Sequence, residues 1–198
     1  MADLILASAS PRREQLLRLS GLSFNVVPAL AVEEKATAAS PELLAVKLAL
    51  LKARQVSRRH PSLPVLGADT VVVIEDKILG KPVDPAAAEA MLGKLQGKCH
   101  RVITGVAVVR REPLKEETAY EETLVWMRPL SPGEIKAYAA TGEPLDKAGA
   151  YGIQGRGGYL IEKIQGCYFN VVGLPLSLTM TLLGKFGLSI FKEIKDES

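Results

Sequence analysis

The run Val65-Leu-Gly-Ala-Asp69-Thr70-Val-Val-Val-Ile74 constrains this chain more than any other stretch. A nearly unbroken apolar segment of this kind reads as a strand buried on both faces, as in the interior of an α/β sheet. Asp69 interrupts it, and a buried carboxylate is costly unless something pairs with it. Two readings stay open. Asp69 is either a core aspartate satisfied by backbone donors or an arginine, or it lies where the strand opens onto a site and does chemistry there. A carboxylate at such an edge can bind a hard divalent cation and can accept a proton from water. Gly67 and Ala68 leave room for a ligand to approach the backbone, and Thr70 adds a hydroxyl at the same edge.

Helix starts surround this strand. Ser10-Pro11, Ser40-Pro41, Asp84-Pro85 and Ser131-Pro132 each set a capping side chain directly before a proline. At the first helical position proline loses nothing, because its missing N–H would have had no intrahelical partner. Ser131 and Glu134 also have capping-box spacing. Gly21, Gly97 and Gly142 can take the left-handed conformation that stops a helix. In the second helix Leu44, Leu48 and Leu51 fall on one face, and a final helix after Gly173-Leu174-Pro175 carries Leu178, Leu182 and Phe186 as a core stripe. Strands are expected at Leu4 to Ala7, Phe24 to Pro28, Val65 to Ile74, Val102 to Arg111 and Glu121 to Met127, with shorter ones at Tyr159 to Ile164 and Tyr168 to Val172. Arg110 to Thr123 is polar enough for an exposed hairpin or loop, and the charged tail from Lys192 to Ser198 is expected to fray. Strands and helices alternate first and strands dominate later, which predicts a mixed sheet flanked by helices. No linker divides the chain, so a single domain over residues 1–198 is expected.

The overall charge narrows the partners. A formal charge of +3 in a chain with 24% charged residues is too small to demand nucleic acid, and aromatic residues at 5% offer few stacking platforms for bases. A small anionic ligand fits better. Cys99 and Cys167 form neither a disulfide framework nor a zinc spacing, and free thiols suit a reducing cytoplasm. The first residues lack a signal peptide's positive region and long apolar core, and no run of about 18 or more apolar residues exists to span a membrane.

Several clusters suit phosphate. Ser8-Ala-Ser10-Pro11-Arg12-Arg13 follows a short apolar strand and opens a helix, so backbone N–H groups, two hydroxyls and two guanidiniums converge as an anion cradle. The competing reading is a capped helix with two solvated arginines. Lys52 lies on the polar side of the second helix, and Lys81 is held in a rigid turn by Gly80 and Pro82. Glu33 and Glu34 follow a strand-like end, where only one of two neighbours can face a given site. The glycine-rich stretch from Thr141 to Gly158 implies tight turns or close backbone approach. Within it, Lys147 can pair with Asp146 or add to the phosphate charge, and the Gln154 amide can donate and accept on a base edge such as that of uracil or thymine. His60 and His100 have no companions at ligand spacing, and no residue sits in a Gly-x-Ser-x-Gly setting.

Eight stretches in order then resemble one family, the Maf-type nucleotide pyrophosphatases: Ser8 to Arg13, Val32 to Lys35, Gly67 to Thr70, Gly80 to Pro82, Val102 to Val106, Glu143 to Gly149, Tyr151 to Gly155 and Asn170 to Pro175. The resemblance implies hydrolysis of nucleoside triphosphates to the monophosphate and pyrophosphate with a divalent metal, magnesium or manganese. It implies Asp69 as proton acceptor and metal ligand. Arg13, Lys52 and Lys81 become phosphate-binding residues, and Glu33 or Glu34, with Glu34 favoured, a second metal ligand. It also implies an elongated, twisted mixed sheet with a cleft between two lobes, and a homodimer. Arg12, Thr70 and Gln154 match the branch associated with dTTP and UTP, and 5-modified pyrimidine triphosphates fit the same pattern. The alternative is a nucleotide-binding regulator of cell division that binds without turnover.

Overall fold

In a computed structural model that describes residues 2–30 and 37–191, the chain forms a mixed α/β structure around an open sheet. The tail from Lys192 and the Glu33–Glu34 pair lie outside the described residues. The elements are β1 (Leu4–Leu6), α1 (Pro11–Arg18), β2 (Phe24–Val26), α2 (Pro41–Ser57), β3 (Val65–Ile74) and β4 (Lys77–Leu79). They continue with α3 (Pro85–Leu95), β5 (Cys99–Arg111), β6 (Leu114–Met127), α4 (Pro132–Ala139), β7 (Ile161–Gln165), α5 (Tyr168–Val172) and α6 (Leu176–Gly184). The strand order is β2-β1-β3-β5-β6-β7, and β4 pairs with β3. β1 runs parallel to β2 and β3, while the remaining pairs are antiparallel. None of the described helices is long and apolar enough to cross a membrane.

All four Xaa-Pro helix starts fall where the sequence places them. Ser40 accepts from Leu43 N, Asp84 from Ala87 N, and Ser131 closes a full capping box with Glu134. Ser10 differs, because its side chain makes no cap hydrogen bond. Instead its own N–H donates to Ser8 Oγ at 3.1 Å. Gly21, Gly97 and Gly142 do take positive φ.

Three expectations change. Tyr168 to Val172 is helical rather than a strand, although its composition favours β structure. The segment packs against β5 and β6 instead of pairing with them, with the Asn170 amide donating to Val102 O and Thr123 Oγ1, and tertiary context overrides propensity. The strand expected from Tyr159 begins only at Ile161, after a 3₁₀ stretch from Gly155 to Leu160. In α2 the buried residues are Ala45, Leu48, Ala49, Ala53, Val56 and Ser57, whereas Leu44 and Leu51 are only half-buried. The polar segment from Arg110 to Thr123 does form a hairpin, with β6 starting as early as Leu114. Short β4 went unread; it returns through a turn in which Glu75 and Asp76 both have positive φ.

The alanine face of α2 has a physical reason. On β3 and β5 it meets Gly67 and Gly105, where an added Cβ would lie 2.3 Å from Ala49 O and 2.2 Å from the Ala45 carbonyl carbon. Helix and sheet therefore touch backbone to backbone. Val65, Val71 and Val73 face α2 as well, while Leu66, Ala68, Val72 and Ile74 point to the opposite side. There the core divides into two clusters. One, around Leu66, Ala68, Val106 and Val108, packs against α1 and α6; the other, around Val72, Ile74 and Val102, packs against α3 and α4. Between them lies a polar layer built on Thr70 and Thr104, which are cross-strand partners. Gly105→Ala should destabilise the protein by about 1–3 kcal/mol through overpacking. Urea denaturation checks this, and an unchanged midpoint would contradict the backbone contact.

Candidate functional site

β3 has β1 beside it only as far as Leu66, and β4 joins the same edge only from Val72. Gly67 to Val71 therefore border an opening in the sheet, just beyond the end of a parallel strand. Crevices outside the carboxyl ends of parallel strands are where open α/β sheets bind ligands. A cavity of about 540 Å³ occupies this opening. Because the edge is free there, side chains from both faces of β3 reach it, and Asp69 and Thr70 line it together although they are sequence neighbours.

Every sequence-predicted site residue among those described lines this cavity: Ser8, Arg12, Arg13, Lys52, Asp69, Thr70, Lys81, Lys147 and Gln154. Glu34 alone falls outside the described residues. The described walls thus carry five cationic side chains and two carboxylates, Asp69 and Asp146. That balance suits a polyanion.

Asp69 is only 8% exposed, and its Oδ1 accepts from Lys52 Nζ at 2.6 Å. Among the described residues neither an arginine nor a backbone donor reaches it, and its partner is a lysine. Both side chains are close to nine-tenths buried. Removing the lysine would leave a buried carboxylate uncompensated, at a cost of about 3–5 kcal/mol. The height of Lys52 above the sheet is set by its neighbours Ala49 and Ala53, which rest on Gly67. Asp69 Oδ2 has no hydrogen-bond partner among the described residues, which leaves its lone pairs for a water or a cation.

The arginines of the first motif diverge. Arg13 donates through Nε to Gly173 O at 2.8 Å and through Nη2 to Thr70 Oγ1 at 3.1 Å. Arg12 donates to Asp146 Oδ2 at 2.8 Å, and Lys147 donates to Asp146 Oδ1 at 2.6 Å. Both possibilities for Lys147 are thereby compatible: it pairs with Asp146 while lying on the cavity wall. Its aliphatic stem crosses Gly152, where a Cβ would come within 2.8 Å of Cε. Donors from Lys147 and Arg12, against the penalty of partial burial, hold the Asp146 carboxyl below its ordinary value.

Four residues that shape the site lie within the matching stretches, but sequence reasoning gave them no role. Glu143 accepts from Tyr138 OH at 3.0 Å, from Gly157 N at 3.0 Å and from Arg156 N at 3.2 Å, which pins the loop directly after Gln154. Thr104 and Asn170 continue the polar layer beneath Thr70. A threonine inside the apolar run from Val102 to Val109 was the same kind of signal as Asp69 and could have been read. Tyr151 was not legible. It lines the cavity and is buried, and its hydroxyl meets His100 Nε2 at 2.6 Å.

Among the described residues no group of three or more His, Cys, Asp or Glu is placed to hold an ion. One buried carboxylate with spare lone pairs beside a cation-lined cavity does fit a hard cation that shares its coordination with phosphate oxygens and waters, as magnesium does.

The family model described as Maf-like protein matches residues 3–186. The chain belongs to this family. It is 54% identical over 191 residues to the dTTP/UTP pyrophosphatase of Symbiobacterium thermophilum, covering 96% of this chain and 97% of that one. It is 50% identical over 194 residues to the dTTP/UTP pyrophosphatase of Moorella thermoacetica, covering 98% and 100%. The protein of that name from Bacillus pumilus is 47% identical over 191 residues, covering 96% and 100%.

Burial pushes the His100 imidazole down to about 4 from its ordinary 6.5. The folded state thus binds fewer protons than the unfolded chain once pH drops below 6.5. This stability is complete above 6.5, declines as pH falls toward 4 and then levels off, a loss of about 3 kcal/mol. Comparing denaturant stability of wild type and His100→Gln from pH 7.5 to 4 checks this: the difference between them should narrow as pH falls.

Proposed function

We propose that the protein is a nucleoside triphosphate pyrophosphatase that hydrolyses dTTP and UTP, and 5-modified pyrimidine triphosphates of similar shape, to the monophosphate and pyrophosphate. The observation that carries this reading is the buried Lys52–Asp69 pair at the rim of a cavity whose walls also bear Arg12, Thr70 and Gln154. The names of relatives at 47–54% identity support the same activity.

A triphosphate brings about four negative charges, and preorganised cations must offset them before water can approach phosphorus. Arg13, Lys52, Lys81 and Lys147, with the Ser8 hydroxyl, hold the phosphate chain. Arg12 and Lys147 exchange the Asp146 carboxylate for substrate oxygens. Asp69 orients a water and takes its proton as the oxygen attacks the α-phosphoryl group. The bond from that phosphorus to the bridging oxygen breaks, and pyrophosphate leaves with the electron pair. Asp69 and Glu34 would hold a divalent cation, magnesium or manganese, which when bound compensates charge on the phosphate oxygens. Gln154 and Thr70, backed by Arg12, read the base.

The regulator of cell division leaves Asp69 without a task, since binding alone needs no buried carboxylate among phosphate-binding cations. A homodimer in a reducing cytoplasm completes the proposal, and sedimentation velocity tests its assembly state. Asp69→Asn should keep native circular dichroism while lowering turnover of dTTP by roughly 10²- to 10⁴-fold, the scale of a lost general base. Product analysis of monophosphate and pyrophosphate reads this out. Turnover near wild type would remove Asp69 from the role of base, and tight binding without product in the wild type would favour the regulator.

A further inference from the structure

The polar layer beneath the cavity fixes the direction of its hydrogen bonds. Arg13 Nη2 can only donate, so Thr70 Oγ1 accepts from it at 3.1 Å. At the other end the Asn170 carbonyl can only accept, so Thr104 gives its single hydroxyl proton to Asn170 O at 3.1 Å. Thr70 Oγ1 and Thr104 Oγ1 lie 2.9 Å apart. Thr104 has no proton left for that contact, and Thr70 must therefore be the donor in it. The chain runs one way, from guanidinium to Thr70 to Thr104 to carbonyl.

The end point does not drift. Asn170 is fully buried, and its side-chain amide donates to Val102 O and to Thr123 Oγ1, both at 2.9 Å. Thr123 is itself saturated, donating to Cys167 O and accepting from Cys167 N. Thr104 is also fully buried, so water does not compete for its hydroxyl. Thr70, by contrast, is half-buried and lines the cavity.

We propose that Thr104 is a positioning residue that sets the polarity of the Thr70 hydroxyl, so that Thr70 offers the cavity a lone pair and never a proton. A base that presents an N–H there is favoured over one that presents a lone pair. Uracil and thymine carry a hydrogen on ring nitrogen N3, whereas cytosine has a lone pair at that atom. Selection of uracil and thymine over cytosine then originates one residue away from the base, on β5. The inference rests on the base-reading role proposed for this cavity and adds the physical origin of its selectivity.

The test compares kcat/KM for dTTP and dCTP in wild type, Thr104→Val, Thr104→Cys and Thr104→Ser. Valine keeps the shape but removes the hydroxyl, so Thr70 can turn its proton toward the cavity. The dTTP-to-dCTP ratio should fall by roughly 3- to 10-fold, the span of one neutral hydrogen bond. Serine should restore the wild-type ratio. Cysteine, a weak donor, should fall between, and that pair decides the matter if the valine variant does not fold. Equal losses on both nucleotides, with the ratio unmoved in a folded valine or cysteine variant, would make Thr104 merely structural and overturn the inference. A wild type that shows no preference between dTTP and dCTP would overturn the base-reading assignment itself.

Discussion

Contact between α2 and the sheet through glycine is the constraint on which the rest depends. Gly67 and Gly105 remove the side chains that would hold the helix away, and Ala45, Ala49 and Ala53 complete the approach. At this distance the Lys52 amino group meets the Asp69 carboxylate at 2.6 Å within a largely buried setting. The catalytic carboxylate of the proposed reaction is thus held by packing rather than by a flexible loop, and packing is the more rigid support.

The second organising feature is the gap in the β3 edge. A continuous sheet would have hidden the backbone from Gly67 to Val71 and kept the two faces of the strand apart. Because β1 stops at Leu6 and β4 joins only at Val72, one cavity receives Asp69 from the α2 face and Thr70 from the other. Chemistry and base reading can therefore share one strand. Asp146 completes the electrostatics from across the cleft. It accepts from both Arg12 and Lys147, and so keeps two cations of the cavity wall arranged side by side.

Much of this was legible one residue at a time. Four prolines after capping residues marked four helices, because proline and the cap act on the first turn alone. Asp69 stood out because an apolar run makes a single charge conspicuous. Thr104 carried a weaker form of that signal and was passed over, since a threonine within a strand is common. Tyr168 to Val172 misled because its composition favours strands, while the buried contacts of Asn170 with Val102 and Thr123 form from a helical turn. Glu143 gave no warning: its three donors come from Tyr138, Arg156 and Gly157, a juxtaposition that local spacing does not encode.

By itself the sequence determined the mixed α/β class, the four Xaa-Pro helix starts and the charged and polar residues it singled out on the cavity wall, because capping, periodicity and isolated charges are local effects. Only the tertiary structure decided that Asp69 pairs with Lys52 rather than an arginine, that Asp146 bridges Arg12 and Lys147, and that the Thr70 hydroxyl points its proton inward. Those outcomes depend on which donors and acceptors long-range packing brings within hydrogen-bond distance, and on the rule that each hydroxyl has one proton to give.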